Sequence, residues 1–197
     1  MYTLSTSKPN YHHGNLRAAL VEAACGLLHE GGTEALSLRA VARQAGVSAM
    51  APYRHFADKD ALLAAVAAAG FERFRAALTA ADGSASEPAD ALVAQGVAYV
   101  RFACDDPRLF KLMFGTAKPA GYPELSAAAD AAYAVLANRV ATLVSEKERA
   151  DLTLAAWSLV HGLASLLVDQ QLPKTSVPEA LAVRISRLLL YGIESAA

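Results

Sequence analysis

Apolar residues along most of this 197-residue chain recur every three to four positions, and no convincing two-residue alternation interrupts them. That is the period of helices, not strands. Leu16, Leu20, Ala23, Ala24, Leu27 and Leu28 share one face of a helix starting at Asn15, which Gly31 and Gly32 stop. Ser37 predicts the N-cap of a short second helix over 38–45, with Val41, Ala42 and Ala45 inward and Gly46 ending it. Ser48 predicts the cap of a third short helix reaching about His55. Pro52 lies inside it, close enough to the start to remove only an early backbone bond. Asp58 caps a long helix from Lys59 to about Ala81, carrying Leu62, Leu63, Val66, Phe71, Phe74 and Leu78 inward. After the break at 82–86, Pro88 suits the first turn of a helix reaching about Cys104. Asp106-Pro107 opens a short helix with Leu109, Phe110, Leu112 and Met113, and 115–121 is a loop. An alanine-rich helix over 122–145, an uncharged one over 151–171 and a last one from Ser176 to near Ile193 complete the chain. The expectation is an all-α fold of about nine helices, the first ones short and compact, the rest a bundle, with no internal repeat.

Composition strengthens this picture. Hydrophobic residues make up 54% but aromatics only 7%, so alanine and leucine carry the apolar content and favour helices. The length supports one large domain or two small ones with a real core. High apolar content with a net charge of -1 excludes disorder. The polar start, carrying Pro9, reads as a mobile arm over 1–12 and lacks the apolar core of a secretory signal. Cys25 and Cys104 make no disulfide framework; they read as inert buried thiols rather than redox sensors and fit a cytoplasmic protein. No HExxH, ExxH or paired CxxC spacing offers a metal site, and no cofactor is expected. Leu152–Val168 is uncharged and at the short limit for a membrane span, but Thr153, Ser158, His161, Gly162 and Ser165 make it a helix buried within protein. No membrane partner is expected.

The chemistry concentrates between Leu36 and Leu63, in the mildly basic N-terminal quarter. Two short helices around Gly46-Val47-Ser48 have the grammar of a helix-turn-helix, with Val47 plugging the angle between them. The second is small and polar enough to enter a major groove. Ser48 offers a hydroxyl and free amides at a helix N-terminus, suited to a phosphate. Tyr53, Arg54 and His55 can reach phosphate oxygens. Lys59, in the first turn of the next helix, opposes the helix dipole, which a nearby anion would offset. Arg39 and Arg43 share one face of the second helix. Lys8, His12 and His13 in the arm could reach a minor groove or contact nothing.

Arg39, Ala45-Gly46-Val47-Ser48, Tyr53-x-His55-Phe56 and Asp58-Lys59-x-x-Leu62-Leu63 together resemble the DNA-binding domain of the TetR family of bacterial transcriptional regulators. The segment from Tyr11 to Arg17 also resembles members of that family. The resemblance implies a DNA-binding domain over 13–75, with its motif at about 37–56, and an effector-binding and dimerisation domain over 76–197. It implies phosphate contacts at Ser48, Tyr53, His55, Lys59 and Arg39, and base contacts at Ala49, Met50 and Arg54. Ala49, Met50 and Pro52 depart from the usual residues of the family, so base reading here leans on apolar contact and Arg54. Trp157, His161 and Gly162, with 99–102 and 112–115, resemble a subgroup with a C-terminal Trp…His-Gly signature. The implied function is a sequence-specific regulator, a repressor released from a palindromic double-stranded operator by a small-molecule effector, with no enzymatic activity.

The candidate pocket residues have a structural reading beside the functional one. Tyr99, Phe102, Phe110, Met113, Phe114, Tyr122 and Tyr133 recur at helical spacing, as core residues do. Trp157 and His161, one turn apart, read first as core tryptophan and hydrogen-bonded core histidine, and second as effector pocket. Ala155, Ala156, Gly162, Ala164 and Ser165 read as a close-packed homodimer face, formed by the helices at about 151–171 and 177–193. Two alternatives remain: a helical-bundle enzyme, or a protein–protein adaptor on the same fold. Against the first, His161 has no acidic residue three or four positions away. Against the second, the phosphate-contact set is intact.

Overall fold

A computed structural model describes residues 16–115 and 120–194. The arm, with Lys8, His12 and His13, and most of the 115–121 loop lie outside the described residues. Among those described there are eight α-helices, two short 3-10 turns and no strand. The N-terminal helices are α1 (Leu16–Gly31), α2 (Leu38–Gln44) and α3 (Lys59–Asp82). Then follow α4 (Pro88–Asp105), α5 (Pro107–Phe114), α6 (Pro123–Val140), α7 (Arg149–Val168) and α8 (Pro178–Glu194).

Local chemistry sets many of these ends. Ser37 Oγ accepts from the Ala40 amide at 3.1 Å, and Asp58 Oδ1 accepts from Ala61 N at 2.8 Å. Asp106 Oδ1 accepts from Leu109 N at 3.1 Å and starts α5. The predicted boundary after residue 75 falls inside α3, which is continuous to Asp82.

Three expectations need correction. The segment from Ser48 to His55 is not an α-helix but a turn followed by a 3-10 turn over Pro52–Arg54. Pro52 has no N–H for the Ser48 carbonyl, which takes the Ala51 amide at 2.9 Å instead. The alanine-rich helix ends at Val140, not Ser145. Its end tightens into i→i−3 bonds, and the Thr142 hydroxyl donates to the Arg139 carbonyl at 2.7 Å. The uncharged helix starts at Arg149 and stops at Val168, before the predicted Gln171. There Gln170 takes a φ of 56°, and Gln171 N bonds back to the Leu166 carbonyl at 2.8 Å. This is a left-handed helix stop built on glutamine, which the sequence reading had no glycine to flag.

Helix α3 is the spine. It packs against α1, α4, α5 and α6, and α7 packs against α4, α6 and α8. Leu20, Ala24 and Leu28 of α1 and Leu62, Val66, Phe71 and Phe74 of α3 join one continuous core, with Leu92, Val140 and Leu152 as a satellite. Helix α7 with its preceding turn is apolar and long enough to cross a membrane. One side, with Ala156, Val160, Leu163 and Ala164, is buried inside the protein, while Leu154 and Leu166 stand exposed. Ala156 and Ala164 therefore belong to the interior of the subunit, not to an outer face. Polar links tie the N-terminal helices to the bundle: Arg17 pairs with Glu124 at 2.6 Å, and Arg108 donates to the His29 carbonyl.

Candidate functional site

The turn between α2 and the 3-10 segment depends on Gly46. Its φ is 67°, a left-handed conformation that costs an L side chain energy. Val47 N donates to the Ala42 carbonyl at 2.9 Å, and the Val47 side chain packs on the core. Gly46→Ala is expected to cost about 1 kcal/mol by backbone strain alone, since no atom crowds the position. Urea unfolding of the two proteins measures it, and an unchanged midpoint would contradict it.

Around this turn Arg39, Arg43, Ser48, Ala49, Met50, Tyr53, Arg54, His55 and Lys59 are all exposed. Met50 is 67% exposed, unusual for a large apolar side chain. No ion pair engages Arg39, Arg43 or Arg54 among the described residues. Beneath them Pro52 and Phe56 are buried, and the Arg17 guanidinium lies 5.7 Å from the Phe56 ring centroid. Pro52 is thus an anchor of the short segment, a role its tolerance in a helix did not suggest. Lys59 Nζ donates to the Thr33 carbonyl at 2.8 Å. That bond gives the lysine a partner within the chain, so its place against the helix dipole does not by itself require an anion.

A second feature lies in the bundle. A cavity of about 580 Å³ opens between α3, α4, α6, α7 and α8. Of the predicted pocket residues, Tyr99, Phe114, Tyr133, Trp157 and His161 line it. Both Trp157 and His161 line the cavity, while Trp157 also packs on the core and His161 is hydrogen-bonded to Tyr99, as the core reading of the pair expects. Phe102, Phe110, Met113 and Tyr122 do not line it. Met113 is fully buried in the core where α5 meets Gly70 of α3. Phe110 packs behind Phe114 at 5.0 Å between centroids and faces only a small recess of about 100 Å³. Phe102 packs on Phe74, with 5.0 Å between ring centroids. The sequence reading missed Phe71, Phe74, Gln95, Gly96, Asp130 and Ser186, which also line the cavity.

The polar groups in the wall are organised. Tyr99 Oη and His161 Nδ1 are 2.7 Å apart. Burial pushes the Tyr99 phenol well above its ordinary range, with the Trp157 indole opposing, and burial pulls His161 down. Tyr99 therefore keeps its proton, and the phenol shares one hydrogen bond with the imidazole, its direction set by the imidazole tautomer. Outside the cavity wall, Arg139 holds Asp82 with two bonds of 2.7 Å, and Gln95 Nε2 donates to Asp82 Oδ1 at 2.6 Å. The Arg139 bonds hold the Asp82 carboxyl below the usual carboxylate range against the opposing effect of burial, with Gln95 assisting. Cys25, by contrast, is half-buried and pushed up to about 11, and burial also raises Cys104. Neither thiol is activated.

A helix-turn-helix with an exposed basic and polar face, joined through one long helix to a bundle with an internal cavity, defines a DNA-binding regulator of the two-part helical kind. Residues 20–66 match the profile of bacterial regulatory proteins of the tetR family, and residues 92–189 match that of tetracyclin repressor-like C-terminal domains. The chain belongs to the TetR family and is a transcriptional regulator. A protein of unknown function from Rhodococcus sp. RHA1 is 32% identical, with a TM-score of 0.83 over 94% of this chain and 98% of its own. PfmR, a TetR family transcriptional regulator from Thermus thermophilus, is 22% identical, with a TM-score of 0.65 over 87% and 97%. FadR from Bacillus subtilis, solved with stearoyl-CoA, is 13% identical, with a TM-score of 0.72 over 89% and 98%. The last two likenesses concern the fold. No curated protein matches the chain.

Proposed function

We propose that this regulator is a cytoplasmic, non-enzymatic repressor that binds a palindromic operator as a homodimer and leaves it when a small molecule fills the bundle cavity. The DNA-binding part takes residues 13–75 and the effector and dimer part 76–197. The carrying observation is the set of solvent-facing side chains around the Gly46 turn, which includes arginines without an ion-pair partner among the described residues. Arg39, Ser48, Tyr53, His55 and Lys59 supply phosphate contacts; Ala49, Met50 and Arg54 supply base contacts. The exposure of Met50 supports apolar reading of thymine methyls. In the dimer, Leu154, Ser158, Gly162 and Leu166 of α7 form one outward stripe, and Leu188 of α8 is 68% exposed. A two-fold pairing of these helices would set the two turns in successive major grooves, roughly 34–36 Å apart. Trp157, His161 and Gly162 are the subgroup signature, with the first two facing the effector.

Anisotropy titrations against DNA from upstream of the gene, at several salt concentrations, test this reading. Tight binding to one palindrome, with log K falling steeply against log salt, is expected. Tyr53→Phe and Lys59→Ala should each weaken binding to every sequence by several-fold. Arg54→Ala should instead change which bases are preferred. Weak binding, equal for all sequences, would overturn the proposal.

A further inference from the structure

Arg17 stands where the DNA-binding part meets the bundle. It lies in the first turn of α1, and its side chain, 49% exposed, donates to Glu124 in the first turn of α6 at 2.6 Å. The guanidinium also lies 5.7 Å from the centroid of the Phe56 ring. Phe56 directly follows Tyr53, Arg54 and His55, and the ring of the exposed His55 lies 6.4 Å from it between centroids. Arg17 is therefore set beside the residues of the solvent-facing turn. Arg39, Arg43 and Arg54 of that turn have no ion pair among the described residues. Arg17 differs from them in having one, and its partner comes from the bundle.

We propose that Arg17 is a further phosphate-contacting residue of the DNA interface and that Glu124 is its intramolecular competitor. The carboxylate holds the guanidinium when DNA is absent and yields it to a phosphate oxygen when DNA binds. The proposal rests on the phosphate contacts assigned to Tyr53 and His55. Phosphates on one strand recur every ~3.4 Å along the duplex axis. A cation beside a histidine that touches one phosphate therefore has the next within reach of an arginine side chain. Carboxylate and phosphate both offer a guanidinium paired acceptor oxygens, so one can replace the other. The exchange costs little, because a solvent-exposed ion pair contributes little. The Phe56 ring keeps the head group in place once Glu124 lets go. Glu124 also ties the exchange to the bundle, since Ala129, Ala132, Tyr133 and Leu136 of the same helix line the cavity. A shift of α6 relative to α1 thus changes how firmly Arg17 is withheld from DNA.

The full-length protein is titrated by anisotropy against two labelled duplexes, one from upstream of the gene and one of shuffled sequence, at several salt concentrations. Glu124→Gln is expected to tighten binding to both by about two- to fivefold, since the internal competitor is gone. Arg17→Gln is expected to weaken both by several-fold and to reduce the slope of log K against log salt by about one per protomer. Once residue 17 is glutamine, adding Glu124→Gln should change nothing, because the carboxylate has no guanidinium left to withhold. Equal tightening by Glu124→Gln in both backgrounds would mean that the carboxylate only repels the duplex from a distance, and overturns the competition. Arg17→Gln with unchanged affinity and slope overturns the phosphate contact. Should that variant not fold, Glu124→Gln still tests the proposal, because its side chain is 75% exposed: weaker or unchanged binding overturns it. An unaltered protein that binds both duplexes weakly, with no dependence on salt, would instead remove the DNA-binding reading beneath the proposal.

Discussion

Phe74→Ala is expected to lower the unfolding free energy by about 3–5 kcal/mol. Phe74 is 4% exposed and sits at the crossing of three elements of the bundle. Its ring lies 4.9 Å from Tyr99, 5.0 Å from Phe102 and 6.1 Å from Phe114, so α4 and α5 both rest on this residue of α3. Truncation removes these contacts and extends a cavity that already exists. The neighbours have no free volume to move into that would not open space elsewhere. A urea series reads the loss as a lower midpoint with an unchanged slope. Phe74→Leu should recover about half. A loss of less than about 1 kcal/mol for the alanine variant would mean that the aromatic cluster collapses into the gap, and that the wall is soft rather than fixed.

The DNA-binding end is legible in the sequence because its determinants are local. Ser37, Gly46 and Asp58 each act within a few residues of the chain, and each does in the structure what its type and spacing imply. The segment after Ser48 misleads for an equally local reason. Small and polar residues suit a helix start, but the missing N–H of Pro52 turns the Ser48 carbonyl to Ala51 and leaves a 3-10 turn. Lys59 misleads for a distant reason, since its partner is a carbonyl at Thr33 in the loop after α1. The cavity was legible only in part. Periodicity brings Phe110, Met113 and Phe114 onto one short helix, but which of them meets empty space depends on how α5 lies on α3 and α7. Only Phe114 does. A signal for the rest was available and unused: Gln95 and Ser186 are lone polar residues on faces that otherwise bury apolar ones. Such residues in a core need a partner or a purpose.

Asp82→Asn is expected to cost about 2 kcal/mol at neutral pH, after allowing for solvent at a pair whose side chains are 26% and 20% exposed. The carboxylate accepts twice from Arg139 and once from Gln95, and the asparagine can offer only one acceptor oxygen. The acid dependence follows from the sign of the shift. The folded protein holds the Asp82 carboxyl below its ordinary value, chiefly through the Arg139 hydrogen bonds. Its contribution is therefore complete above the usual carboxylate range and is lost as pH falls through the depressed value. Urea midpoints against pH should fall less steeply there for the variant than for the unaltered protein, and parallel curves would refute the assignment.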